Sequence, residues 1–223
     1  MILLSDGELE RSAVVANCRM NRERELDGSN GYGKEVGFAP MAFLQGRANP
    51  TRRPRWLDLC CGSGRALIQA ADAARLAAFD VEIVGVDLVG FFREHGHDPS
   101  RLRLIESSLR TWQPEEPFDL ITCIHGLHYV GDKLGLIARA VSWLVPDGLF
   151  AANLDLRNLK LRNGPGSASL LRGAGLEFNG RRRLVVCEGR RSIEWPLRYL
   201  GGDVDAGPNY TGQPAVDSHY ESP

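Results

Sequence analysis

The sequence predicts an α/β fold, a doubly wound and mostly parallel sheet with helices on both faces. Between residues 55 and 156, short apolar segments of strand length alternate with helical stretches, which implies parallel pairing. One of these segments runs into a glycine-containing turn and then an alanine-rich helix. The next ends on an aspartate about twenty residues beyond that turn.

The elements follow in chain order. Ser5-Asp6-Gly7-Glu8 has the spacing of a capping box and predicts a helix running through Leu9, Ala13, Val14 and Met20 to about Asp27-Gly28. Pro40 suits the first turn of a second, short helix. Arg55 to Cys60 reads as a buried strand and Ala66 to Ala78 as a helix. Strands follow at Val81 to Asp87, Arg101 to Ser107 and Phe118 to Ile124. Leu134, Ile137, Val141 and Leu144 share one helix face, and Pro146-Asp147-Gly148 ends that helix before a strand over Leu149 to Leu154. Arg182 to Cys187 and Ser192 to Trp195, flanking Glu188-Gly189-Arg190, predict a C-terminal antiparallel hairpin at the sheet edge. Three parts result: an N-terminal helical cap over 1–50, the sheet domain over 51–200, and a tail over 201–223 whose composition suits either disorder or a loop ordered over a pocket.

Composition narrows the function classes. A chain of 223 residues holds one substantial domain and is short for two. A formal net charge of -1 gives no global attraction to nucleic acid or to anionic membranes. No apolar run approaches the roughly 20 residues that span a bilayer, and the first residues lack the basic region and cleavage site of a secretory signal. Cys18, Cys60, Cys61, Cys123 and Cys187 are odd in number and lack a CxxC pair, so neither a disulfide framework nor a zinc site is indicated. A cytoplasmic location is expected, with monomer and homodimer both left open.

The chemistry concentrates in Leu57-Asp58-Leu59-Cys60-Cys61-Gly62-Ser63-Gly64-Arg65. Glycines at 62 and 64 remove the Cβ atoms that would block a ligand lying across the turn. The helix beyond offers unpaired N–H groups to an anionic group. Asp87, at the end of the next strand, stands where an acid accepts both hydrogen bonds from a ribose diol.

These residues closely resemble the class I methyltransferase family over roughly 54 to 156. Asp58, Gly62 and Gly64 match its first motif, with Cys60 in place of the first glycine; Asp87 matches its ribose-binding acid. Phe118-Asp119-Leu120-Ile121 matches the strand leading to the substrate face, and Leu144 to Gly148 the loop before the fifth strand. The resemblance implies a Rossmann-like fold and S-adenosyl-L-methionine as cofactor, leaving S-adenosyl-L-homocysteine as product. It implies cofactor contacts from Asp58, Cys60, Gly62, Gly64, Asp87, Leu88, Ile124 and His125. The family often places an acid after the third strand for the adenine amine; here the match falls on Ser108, or on Ser107 if the register slips, with the Leu109 amide as a backbone donor to adenine. Dinucleotide binding fits less well, because Leu67 occupies the third glycine position of that fingerprint.

The acceptor side is read from Ile124-His125-Gly126-Leu127-His128-Tyr129, which follows the fourth strand. His125 and His128 are candidate bases, since histidine titrates near neutral pH. Arg19, Asn21 and Tyr32 on the N-terminal flank, Tyr129, and Asn209 and Tyr210 in the tail are candidate substrate contacts. The segment lacks the Asn/Asp-Pro-Pro-aromatic signature of nucleic-acid amino methylation and the acidic pair that holds a guanidinium. A small-molecule acceptor is therefore expected, methylated on oxygen, nitrogen or carbon. Two other readings share the cofactor site: a cyclase or isomerase that uses the sulfonium without methyl transfer, and a non-catalytic binding module.

Overall fold

The computed structural model describes residues 2–16, 23–49, 51–164 and 166–222. Four short helices open the chain: α1 (Asp6–Glu10), α2 (Ala13–Ala16), α3 (Tyr32–Val36) and α4 (Pro40–Gln45). The alternating region then runs β1 (Arg55–Leu59), α5 (Arg65–Leu76), β2 (Glu82–Asp87), β3 (Leu102–Glu106), β4 (Phe118–Cys123), α6 (Lys133–Ser142) and β5 (Leu144–Asn153). The remainder is β6 (Leu159–Arg162), α7 (Ser167–Gly173), β7 (Glu177–Asn179), β8 (Leu184–Glu188), β9 (Arg198–Asp203) and β10 (Asp217–Glu221).

Seven strands form one sheet in the order β3-β2-β1-β4-β5-β8-β7, parallel as far as β5 and antiparallel at β8 and β7. Every residue of β1 and β4 is buried, because helices cover both faces. Alternate side chains feed two cores. Trp56, Ile83 and Leu120 pack with α3, α4 and the alanine face of α5, whereas Leu57, Val84, Val86 and Ile121 pack with α6 and α7. The strand order reverses between β1 and β4, and the crevice beyond their carboxyl ends is where open α/β sheets bind ligands. At the opposite end, buried Asp119 accepts from Arg52 at 2.8 and 2.5 Å and from the Arg55 amide at 2.8 Å. That aspartate fastens strand ends and lies away from the crevice.

Several sequence expectations change. The capping interaction at Ser5 is present, with the Ser5 amide donating to Glu8 Oε2 at 2.8 Å, but α1 stops at Glu10. Residues 17–22 of the expected longer helix lie outside the described residues. The edge hairpin forms from β7 and β8; the segment expected as its second strand, Ser192 to Trp195, leaves the sheet. Trp195 covers α6 instead, its Nε1 donating to Leu134 O at 2.7 Å. β5 begins at Leu144 and carries Pro146-Asp147-Gly148 within it, with a register shift against β4.

Part of the tail is also strand. β10 pairs with β6 in parallel and with β9 antiparallel, making a second, three-stranded sheet. Lys133, fully buried at the start of α6, ties that sheet to the first. Its Nζ donates to Val130 O (2.8 Å), Val216 O (2.7 Å) and Ser218 Oγ (3.0 Å). Lys133→Met keeps the apolar stem and leaves two carbonyls without that donor. A loss of about 2–5 kcal/mol is expected in urea unfolding, with faster amide exchange in β10 than in β1.

Candidate functional site

At the switch point, β1 ends in a turn whose backbone is left-handed at Cys60 (φ 58), Gly62 (φ 62) and Gly64 (φ 74). Gly64 caps α5, and its conformation suits glycine alone among common choices. Cys60 is the departure. It adopts the same left-handed region with a side chain attached, a conformation rare outside glycine, asparagine and aspartate. Gly126, after β4, makes room for it: a Cβ there would lie 2.4 Å from Cys60 Cβ.

The turn opens on a cleft of about 1210 Å³ including its mouth. Cys60, Cys61, Gly62, Asp87, Leu88, Leu109, Ile124 and His125 line it. Asp87 accepts from the Gly62 amide at 2.9 Å and the Val89 amide at 3.0 Å, which orients its carboxylate beside the turn. Most of the expected cofactor contacts are thus brought together, with three adjustments. Asp58 lies beneath the turn and does not line the cleft. Gly64 packs on Leu104. Neither Ser107 nor Ser108 lines the cleft: the Ser107 amide donates to Asp87 O (2.9 Å), and the Ser108 hydroxyl donates to Glu10 Oε1 (2.5 Å).

Asp58 belongs to a closed polar network. Tyr32 Oη donates to its Oδ2 at 2.7 Å, Thr122 Oγ1 donates to its Oδ1 at 2.5 Å, and Trp56 Nε1 donates to Thr122 Oγ1 at 2.9 Å. Burial pushes the Asp58 carboxyl up to about 7 despite these donors, with Asp87 adding repulsion. Tyr32 therefore reaches the cleft as the member of this network that also lines it.

Around the fourth-strand turn sits the second half of the site. His125 has a left-handed backbone (φ 61), and its amide donates to Asn153 Oδ1 at 3.3 Å. Its Nδ1 lies 3.3 Å from the Tyr210 hydroxyl, and its Nε2 lies 3.3 Å from Glu35 Oε2 without the alignment of a hydrogen bond. Burial, with Glu35 adding, pushes Tyr210 up to about 12, so its hydroxyl keeps the proton beside Nδ1. The His125 imidazole holds the Glu35 carboxyl below the usual carboxylate range, assisted by Arg24 at 3.1 Å. Glu35 is a carboxylate aimed at the imidazole edge.

His128 differs. It lines the cleft at 1% exposure, and neither ring nitrogen has a hydrogen-bond partner among the described residues. Burial, with His125 and Lys133 adding, pulls it down to about 3, so the ring is neutral at physiological pH. The ring of Tyr210 meets it edge-on at 5.2 Å. Of the other expected substrate contacts, Tyr129 lines the cleft. Asn209 does not: its Oδ1 accepts from the Thr211 amide (2.7 Å) and hydroxyl (2.6 Å), so it shapes the tail turn. Tyr210 is held by Asp155, which accepts its amide at 3.2 Å, and by Arg183 stacked 4.5 Å over its ring. Arg19 and Asn21 lie outside the described residues. Sequence reasoning missed Glu10, Arg24 and Glu35, none of which sits in a local motif; the nearest signal to Glu35 was Tyr32, one helical turn before it. The tail lines the cleft through Thr211 and Gln213, whereas Tyr210 reaches His125 without lining it.

With this geometry in place, comparison with known proteins is decisive about kinship. A family model described as a methyltransferase domain matches residues 34–184. The chain belongs to the class I methyltransferase family. A curated methyltransferase, trans-aconitate 2-methyltransferase of Pseudomonas aeruginosa, is 31% identical over 116 residues, covering 52% of this chain and 41% of that protein. Among solved methyltransferases, a plantazolicin methyltransferase crystallised with a triazolic desmethyl analogue and S-adenosylhomocysteine gives a TM-score of 0.43 at 11% identity, covering 79% of this chain and 59% of that one. An amino pentose methyltransferase from Micromonospora echinaspora, bound to S-adenosylmethionine, gives 0.40 at 20% identity, covering 56% and 51%. This methyltransferase chain thus spans less than two thirds of the length of these relatives. Among the described residues, no helix is long and apolar enough to cross a membrane.

Asp58 makes a pH prediction. Its folded-state pKa is raised, so the folded state holds a proton that the unfolded chain has released. The stability it contributes is complete below 3.8 and is lost as pH rises towards about 7. Asp58→Asn, which keeps the shape, is expected to flatten that decline when urea midpoints are compared across the same window.

Proposed function

We propose that the protein transfers a methyl group from S-adenosyl-L-methionine to a proton-bearing oxygen, nitrogen or carbon of a small molecule. One observation carries the reading. The left-handed turn at 60–64 and Asp87 face the same cleft as His125 and His128. Asp87 suits a ribose diol, the N-terminus of α5 suits a carboxylate, and the glycine at 62 leaves space for a ligand against the backbone. The donor set therefore fits the cofactor. When bound, S-adenosylmethionine supplies an activated methyl on its sulfonium.

The chain's own residues divide the remaining work. Leu88, Leu109 and Ile124 exclude water from the cofactor side of the cleft. His125 takes the proton of the acceptor on Nδ1, the acceptor replacing the Tyr210 hydroxyl there, and Glu35 beside Nε2 steadies the resulting imidazolium. His128, neutral and without a partner, offers a hydrogen bond to the acceptor and does not act as the base. The Pseudomonas relative acts by name on trans-aconitate, which agrees with a small acceptor.

Calorimetry with S-adenosylhomocysteine tests the cofactor half. The parent protein is expected to bind it, and Asp87→Ala to weaken binding about 10- to 100-fold, the scale of a lost charge-assisted hydrogen bond. Absence of binding by the parent would remove the reading. Conversion of S-adenosylmethionine to S-adenosylhomocysteine, dependent on an added acceptor, separates methyl transfer from a cyclase, an isomerase or a passive binding module. His125→Ala is expected to reduce that conversion about 100-fold or more at saturating S-adenosylmethionine.

A further inference from the structure

The cleft has a carboxylate that no local motif announced. Glu10, the last residue of α1, lines it together with its neighbour Leu9. The connection to the nucleoside side is continuous. Asp87 pairs with Glu106 in the sheet register, the Ser107 amide donates to Asp87 O at 2.9 Å, and the Ser108 hydroxyl donates to Glu10 Oε1 at 2.5 Å. Glu10 is thus fixed just beyond the acid that faces the ribose. Leu109, next to Ser108, lines the same stretch, while its carbonyl is taken by Arg139 at 2.6 Å.

We infer that Glu10 reads the nucleobase of the cofactor, accepting a hydrogen bond from the exocyclic amine of adenine. This rests on the cofactor assignment above. A nucleoside whose diol lies at Asp87 must place its base further along the cleft, towards Leu9, Leu88 and Leu109, which offer apolar surface to its faces. At the rim of that surface stands an acceptor-only group, and adenine presents a donor-only amine there. Ser108 is a positioning residue: its hydroxyl is spent on Glu10, so it steers the carboxylate and does not touch the base itself. A 6-oxo base would set a carbonyl oxygen against the Glu10 carboxylate, which makes the residue a selector for adenine.

The test compares two ligands by calorimetry, S-adenosylhomocysteine and its 6-oxo analogue S-inosylhomocysteine, on the full chain. The parent is expected to prefer the adenine compound. Glu10→Ala should weaken S-adenosylhomocysteine about 10- to 100-fold and leave S-inosylhomocysteine unchanged or tighter, collapsing the preference. Glu10→Gln, which can present either amide face, should narrow the preference as well, and Ser108→Ala should narrow it less. The ratio of the two affinities within one variant is insensitive to a partly unfolded sample. Equal weakening of both ligands would make Glu10 merely structural and overturn the inference, as would parent-like discrimination in Glu10→Ala. Failure of the parent to bind either ligand would instead refute the cofactor assignment.

Discussion

The cleft is one site because two turns touch. The turn after β1 and the turn after β4 approach so closely that a single added methyl at Gly126 would collide with Cys60. Each turn is held in a left-handed conformation at a residue with a side chain, Cys60 in one and His125 in the other. Such conformations persist only where the surroundings over-determine them. Here the sheet supplies the constraint. β1 and β4 are hydrogen-bonded neighbours, and their registered pairs end at Asp58 and Thr122, directly under the two turns. Adjacent strands therefore force the turn at Cys60 and Gly62 and the His125 imidazole into one cavity.

The polar network beneath the turns extends that constraint to the N-terminal cap. Thr122 and Asp58 belong to the sheet, whereas Tyr32 belongs to α3, so the bond from Tyr32 to Asp58 pins α3 over the crevice. Glu35 stands three residues after Tyr32, on the same helix face, and is thereby carried to the edge of His125. A buried carboxyl would be costly alone. It is tolerated because two hydroxyls donate to it and because burial favours its protonated form. The network thus positions the Glu35–His125 pair and enters the cleft through Tyr32.

What the sequence made legible follows from this layering. Strand and helix alternation, the glycine turn and Asp87 are written in contiguous residues, and all lie in the sheet region. Glu10 reaches the cleft, and Glu35 and Tyr210 reach the His125 that lines it, through contacts that span about ninety residues of chain, such as Ser108 to Glu10 and Tyr210 to His125. No local period or motif encodes such contacts. Ser108 illustrates the limit: read alone it stood for a missing acid, whereas the fold brings a carboxylate to it from another element. The second sheet was hidden for a different reason. β9 contains Gly201 and Gly202, which depress strand propensity, and the nearby loop is rich in glycine and proline. A Cβ at Gly201 would lie 2.9 Å from Leu4 O, so close approach of the N-terminal segment explains the glycine there.

That last contact bears on how the two ends of the cleft work together. Leu4 and Gly202 exchange backbone hydrogen bonds at 2.8 and 2.9 Å, and the Tyr199 hydroxyl donates to Asp6 at 2.8 Å, so α1 is fastened to β9. β9 pairs with β10, and the Val216 amide just before β10 donates to His128 O at 2.8 Å. The element that carries Glu10 is therefore joined, through one small sheet, to the backbone of His128. Neither end belongs wholly to the parallel sheet: the cap supplies Asp6 and Glu10, the tail supplies Thr211 and Gln213, and the second sheet holds cap and tail in one piece. The parallel sheet holds the glycine turn and Asp87, and this added layer brings Glu10, Thr211 and Gln213 to the same cleft.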